Sequence, residues 1–115
     1  MNLTEEQAKK IIIKVYEDLD LYHSAKYPVE AHFIEANKQS NDLGIDQWAG
    51  GYDYRDPQAV GDEINYGEFP EYYFIVDDKK GEAVKYGYYT GHYYLELKGG
   101  KYSVLGNWRD TKRPW

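Results

Sequence analysis

The stretch from Tyr72 to Trp108 admits few folds. Tyr72–Asp77 is a short aromatic and β-branched run, and Asp78-Lys79-Lys80-Gly81 is a turn whose glycine can take positive φ. Glu82–Thr90 returns, His92–Lys98 runs again, Gly99-Gly100 supplies a two-residue hairpin turn, and Lys101–Trp108 closes the series. The pattern predicts an antiparallel β-meander over residues 72–108.

If Gly99-Gly100 pairs Lys98 with Lys101, alternation sorts the last hairpin into two faces. Tyr93, Leu95, Leu97, Tyr102, Val104 and Trp108 form a core face. His92, Tyr94, Glu96, Lys98, Lys101, Ser103, Leu105 and Asn107 form a mixed face, as a solvated or ligand-facing side would be. The preceding hairpin is apolar on both sides, with Tyr73, Ile75, Val84 and Tyr86 against Tyr72, Phe74 and Val76. A sheet of that kind has cover on both faces or encloses a concave pocket.

The start of the chain predicts a helix. Thr4 and Gln7 have capping-box spacing, Leu3 and Ala8 occupy the staple positions, and Glu5 and Glu6 suit the first turn. Ala8, Ile11, Ile12, Val15, Leu19 and Tyr22 recur at helical spacing and form one apolar stripe, which must pack on the sheet. Residues 29–36 admit two readings. A short second helix opens at Pro28, with Val29, Phe33 and Ala36 on one face; a strand alternates Val29, Ala31 and Phe33 with polar neighbours. The helix is favoured, giving a helical part over 4–40. Residues 41–71, broken by Gly44, Gly50, Gly51, Pro57, Gly61, Gly67 and Pro70, read as an irregular segment in which Gly50-Gly51 is a turn pair and Asp56-Pro57 caps one helical turn reaching Ile64. A loop of that length has a task, and it carries Trp48, Tyr52, Tyr54 and Tyr66. The fold class is α+β: N-terminal helices packed on a curved antiparallel sheet.

At 115 residues, the chain makes one domain, 1–115. Its net charge of −6 repels nucleic acid and anionic membrane, so neither is an expected partner, and it suits a basic protein partner or simply solubility. With no cysteine there is no disulfide, thiolate metal site or cysteine nucleophile, which fits a cytoplasmic location unless a leader was removed before Met1. The short tail, 109–115, is basic, and the segment from Asn107 onward holds three of the fourteen bases and one of the twenty acids.

No motif names a reaction. His23, His32 and His92 lie at no metal-ligand spacing, and Asp53, Asp56, Asp62 and Glu63 do not match a calcium loop. No phosphate-cradling glycine loop and no nucleophile elbow is present. No catalytic residue, metal or cofactor is therefore assigned. His92, beside Tyr94 and Glu96 on the mixed face, is the best general-base candidate, although a strand histidine is more often polar surface. The fourteen tyrosines suit both strands and interfaces. Trp48, Tyr52 and Tyr54 either plug the open end of the sheet or stack on a ligand such as a sugar ring. Candidate partner- or ligand-binding residues are Trp48, Tyr52, Tyr54, His92, Tyr94 and Glu96.

The strand, turn and returning strand from Tyr72 to Val84, with the closing hairpin from Tyr94 to Val104, resemble the sheets of small NTF2-like and cystatin-like domains, including NTF2-fold immunity proteins of bacterial toxin systems. That resemblance implies a helix on a curved sheet and either toxin neutralisation or small-ligand binding. It carries over no functional residue. Two functions follow. The first is a small, acidic, non-enzymatic binding protein that inhibits or blocks a protein partner. The second is an NTF2-like pocket protein that binds or acts on a small apolar or sugar-like ligand in a cavity of roughly 300–1,000 Å³. The sequence leaves the oligomeric state open.

Overall fold

The computed structural model describes residues 1–24, 26–39, 41, 43–54, 72–88, 91–109 and 111. Among the described residues, one helix, α1 (Glu5–Asp18), is followed by six strands: β1 (Val29–Ile34), β2 (Gln47–Tyr52), β3 (Tyr72–Asp77), β4 (Glu82–Tyr88), β5 (Gly91–Lys98) and β6 (Lys101–Asn107). The strands lie in sequence order and each pairs antiparallel with the next. The sheet is not closed, and β1 and β6 are its edges. Both edge strands touch α1, so the sheet wraps one side of the helix. The fold is α+β, as the hydrophobic periodicity predicts.

Local chemistry sets the ends of α1. Thr4 Oγ1 accepts from the Gln7 N–H at 3.1 Å, and Gln7 Oε1 accepts from the Thr4 N–H at 2.9 Å, so two of the helix's unpaired donors are satisfied reciprocally. At the other end Leu21 N–H donates to the Tyr16 carbonyl at 2.9 Å and Asp20 N–H to the Glu17 carbonyl at 3.2 Å. This is a Schellman turn with a non-glycine residue, Asp20, at φ +53°. Ala8, Ile12 and Val15 are fully buried and Ile11 and Leu19 pack at the margin of the same cluster. Tyr22, assigned to the stripe by spacing, falls beyond the Schellman turn and is exposed. Tyr16, which the stripe omitted, is fully buried.

Residues 29–34 form an edge strand, which corrects the favoured second helix and the helical part drawn over 4–40. Helical spacing and strand alternation were both present; pairing with β2 decides, placing Phe33 opposite Trp48 and Ala31 opposite Gly50. The irregular segment drawn over 41–71 is corrected likewise, because it contains β2. Gly50 and Gly51 are not a turn pair but lie within that strand. A Cβ at Gly50 would overlap the Glu30 carbonyl, and one at Gly51 would stand 2.6 Å from the Tyr72 carbonyl oxygen and 3.1 Å from the Tyr16 hydroxyl. Glycine is needed there for close approach. The helical turn expected from Asp56-Pro57 and the position of Tyr66 lie outside the described residues.

The sheet is covered by α1 on one face and, over part of β2, β3 and β4, by a smaller cluster on the other. On the α1 side, Trp48, Phe74, Val76, Ala83, Tyr86, Leu95 and Tyr102 pack with Ala8, Ile12, Val15 and Tyr16. On the outer side Ala49, Ile75 and Val84 are met by Ile34 at the end of β1 and by Leu43 and Ile45 of the β1–β2 connection. Buried Asn41 holds that connection, its amide nitrogen facing the carbonyls of Ile34, Glu35 and Ile45 and its oxygen accepting from the Gly44 N–H at 3.0 Å.

A second buried polar residue ties the N-terminal segment to the sheet. Asp78, in the β3–β4 turn, accepts hydrogen bonds from the N–H groups of Asn2 (2.6 Å) and Leu3 (2.9 Å) and from Trp48 Nε1 (2.9 Å). Burial by itself raises the carboxyl pKa, but the bonds from Leu3, Trp48 and Asn2 outweigh it and hold the group below the ordinary carboxylate value.

Two bulges change which side chains share a face. Between Ile75 and Val76 the β3–β4 register shifts, so Tyr86 pairs with Phe74 on the helix side and Val84 falls with Ile75 on the outer side. Between Tyr94 and Leu95 the β5–β6 register shifts, so Asn107 pairs with Tyr93. One extra residue inverts the alternation beyond it. That is why Trp108, assigned to the core face, is exposed. Val104, also assigned there, remains in line with Leu95 but at the open edge, and is exposed as well.

Candidate functional site

The six candidate residues fall into two groups on opposite faces of the sheet. Trp48, Tyr52 and Tyr54 belong to the helix side. Trp48 is buried, its ring 5.4 Å from Phe33 and its N–H on Asp78. Tyr52 lies edge-on to Tyr16 at 4.8 Å and stacks with His23 at 5.1 Å and with Tyr54 at 6.1 Å. The Tyr52 N–H donates to the Tyr16 hydroxyl at 3.3 Å. Burial pushes the Tyr54 hydroxyl pKa up to about 12 and raises that of Tyr16 further; burial likewise raises Tyr52. These phenols are therefore neutral hydrogen-bonding groups near pH 7 and not proton carriers. The stack continues across the sheet through Tyr72 on Tyr88 (4.7 Å), Phe74 on Tyr86 (5.7 Å) and Tyr86 on Tyr93 (5.2 Å). The rings of this group fill the space between helix and sheet.

His92, Tyr94 and Glu96 alternate along β5 on the outer face, as alternation predicts. The His92 ring lies over Gly87, where a Cβ would meet its Nδ1 at 3.2 Å, and Gly87 in turn pairs with Tyr73. Beyond the bulge, Trp108 N–H donates to the His92 carbonyl at 3.0 Å, and the two rings meet edge to face at 6.1 Å. The Arg109 guanidinium sits 5.6 Å from the Trp108 ring centre. Tyr94 is buried beside them and Glu96 is half-buried. Sequence reasoning missed the exposed apolar residues here: Tyr73 at 52% exposure, Val104 at 44%, Leu105 at 40% and Trp108 at 44%. Alternation could not find Trp108 because the bulge hides it. Leu105 lay on the mixed face that alternation left solvated or ligand-facing, whereas Tyr73 lay on an apolar face that could equally have been covered.

The histidines do not converge. His23 packs on Tyr16 and Tyr52 with Nδ1 2.9 Å from the Leu21 carbonyl, while His32 is exposed on β1 with Nε2 3.6 Å from Glu30. Among the described residues, no group of three or more His, Cys, Asp or Glu side chains is placed to hold a metal ion. Of the loop carboxylates considered, Asp53 is described and half-buried; Asp56, Asp62 and Glu63 lie outside the described residues. No helix among the described residues is long and apolar enough to cross a membrane.

Where the end of α1 meets β6, a shallow, open groove of about 520 Å³ is lined by Asp18, Leu19, Lys98, Lys101, Tyr102, Ser103 and Val104. Asp18 is fixed at its wall by two hydrogen bonds. Its Oδ2 accepts from Lys14 Nζ at 2.8 Å and from the Tyr102 N–H at 2.9 Å, and these bonds, Lys14 first, lower its pKa. Comparison of the chain with protein-family models, with curated proteins and with solved structures gives no match.

Proposed function

We propose that this chain is a small non-enzymatic binding domain whose target is another protein. The observation that carries the reading is the division of its aromatic residues. The helix side is packed with rings, whereas Tyr73, Val104, Leu105 and Trp108 present apolar surface on the outer face and at the β6 edge. Exposed aromatic and aliphatic groups rimmed by polar ones are the usual makings of a protein contact. An inhibitor or immunity-type protein that blocks its partner by covering it is the specific form of this reading. It accords with the resemblance to NTF2-fold immunity proteins and with a cytoplasmic setting for a cysteine-free chain. The pocket reading has less support, since the rings of Tyr16, Tyr52, Tyr72 and Phe74 occupy the place where a cone between helix and sheet would open.

An affinity pull-down from the source cell, read by mass spectrometry, tests the proposal. A partner recovered in stoichiometric amount by the unmodified chain, and lost with Trp108→Ala, is the expected result. Recovery of none, or equal recovery by the variant, would count against it.

A further inference from the structure

The free edge of β6 is only partly guarded. Lys98 and Lys101 close the hairpin as a pair, and Glu96 with Ser103 forms the next pair of the same type, so the backbone groups of Tyr102 and Val104 point away from β5. The Tyr102 N–H confirms this direction, because Asp18 at the end of α1 takes it at 2.9 Å. Above this window the bulge bends the strand, and Thr111 folds onto Gly106. Between these two guards the Val104 N–H and carbonyl and the Tyr102 carbonyl have no hydrogen-bond partner among the described residues. The groove beside the end of α1 runs along the same window. At the other edge, Glu30, exposed His32 and Glu35 stand on and beside β1, and none of the described β1 residues is an exposed large hydrophobic.

Charge selects what could pair with β6. The chain as a whole carries −6, yet residues 91–109 hold three bases, Lys98, Lys101 and Arg109, and one acid, Glu96. Asp18, in the groove, is already matched by Lys14. A second copy of this chain would bring like-charged hairpins together, and a basic strand would meet the two lysines. We propose that β6 is extended by a short, acidic, extended segment of the partner protein, which pairs with the Val104 N–H and carbonyl and the Tyr102 carbonyl and places apolar side chains beside Val104 and acidic ones on the face of Lys98 and Lys101. The partner's contacting segment is thus opposite in sign to what the net charge alone suggests. This deepens the binding-protein reading and rests on it.

The probe is a fluorescein-labelled peptide alternating glutamate with valine, compared with a lysine–valine peptide, by fluorescence anisotropy and by amide NMR of the full chain. The acidic peptide should bind at least about tenfold more tightly than the basic one. Its affinity should fall about tenfold with Lys98→Glu plus Lys101→Glu, and fall again as salt is raised from about 50 to about 300 mM. Amide shifts should centre on Ser103–Leu105, and the Val104 amide should become protected from exchange. Val104→Pro, which removes the free N–H, should abolish binding; circular dichroism verifies its fold, and the lysine variants stand in if it does not fold. Equal binding of the two peptides, no binding at about 1 mM, or shifts elsewhere would overturn the proposal. So would a dimer whose Val104 amide is already protected without peptide, since the second copy would then be the occupant. A stoichiometric partner retained by the lysine variants would sink this inference and leave the binding-protein reading standing.

Discussion

Replacing Asp78 with alanine should cost this fold about 3–5 kcal/mol, because one buried carboxylate joins three parts of the chain. It accepts from Asn2 and Leu3 ahead of α1 and from Trp48 in β2. Hydrogen bonds to a charged acceptor contribute about 1.5–3 kcal/mol each. The Asn2 and Leu3 donors can turn to water once α1's lead-in loosens, so their loss is partial. The Trp48 N–H cannot: it stays buried and bears a desolvation penalty of about 1–3 kcal/mol. Urea denaturation followed by tryptophan fluorescence measures the loss. A cycle of Asp78→Ala with Trp48→Phe should show coupling above about 1 kcal/mol. The pH dependence has a fixed sign. The folded-state pKa lies below the ordinary 3.8, so the contribution is complete above that value and disappears as pH falls through the depressed pKa. The gap between the parent chain and Asp78→Ala should therefore narrow in acid. A loss below about 1 kcal/mol, or a gap indifferent to pH, would refute the reasoning.

Other expectations concern separate joints. Asp20→Gly should stabilise the chain by about 1 kcal/mol, because φ +53° costs a non-glycine residue in the Schellman turn; thermal unfolding reads it. Tyr16→Phe should destabilise by about 1–2 kcal/mol by leaving the Tyr52 N–H without its acceptor, measured by urea denaturation. Gly51→Ala should lower the thermal midpoint markedly, since its methyl would press on the Tyr72 carbonyl and the Tyr16 hydroxyl. In alkali, Tyr54 should ionise only near pH 12 in the folded chain, and Tyr16 should also lag; their raised pKa values favour the neutral form, so stability falls as pH climbs above 10. Tyrosinate absorbance that rises fully at the ordinary value while the chain is still folded would contradict that burial.

Local chemistry was the most legible part of the sequence. Thr4 and Gln7 announce the start of α1, and the Asp-Lys-Lys-Gly and Gly-Gly turns set two hairpins, Gly81, Gly99 and Gly100 all taking positive φ. These signals act within a few residues. β1 was misread because Val29 and Phe33 satisfy both periods, and only the distant partner Trp48 decides between them. β2 was hidden by Gly50 and Gly51, which a turn and a crowded strand require equally. The candidate site suffered from the bulges. Alternation placed His92, Tyr94 and Glu96 together on the outer face, but it sent Trp108 to the core. Trp48, Tyr52 and Tyr54 stay open between plug and contact in the sequence, because residue type alone cannot distinguish a ring packed under a helix from a ring offered to a partner.

Titration calorimetry of the recovered partner against Trp108→Ala and Trp48→Phe bears most directly on the division between inner and outer rings. The expected pattern is an affinity about tenfold weaker for Trp108→Ala at an unchanged thermal midpoint, and a lowered midpoint at unchanged affinity for Trp48→Phe. The reverse pattern, with Trp48 governing affinity and Trp108 governing stability, would contradict it.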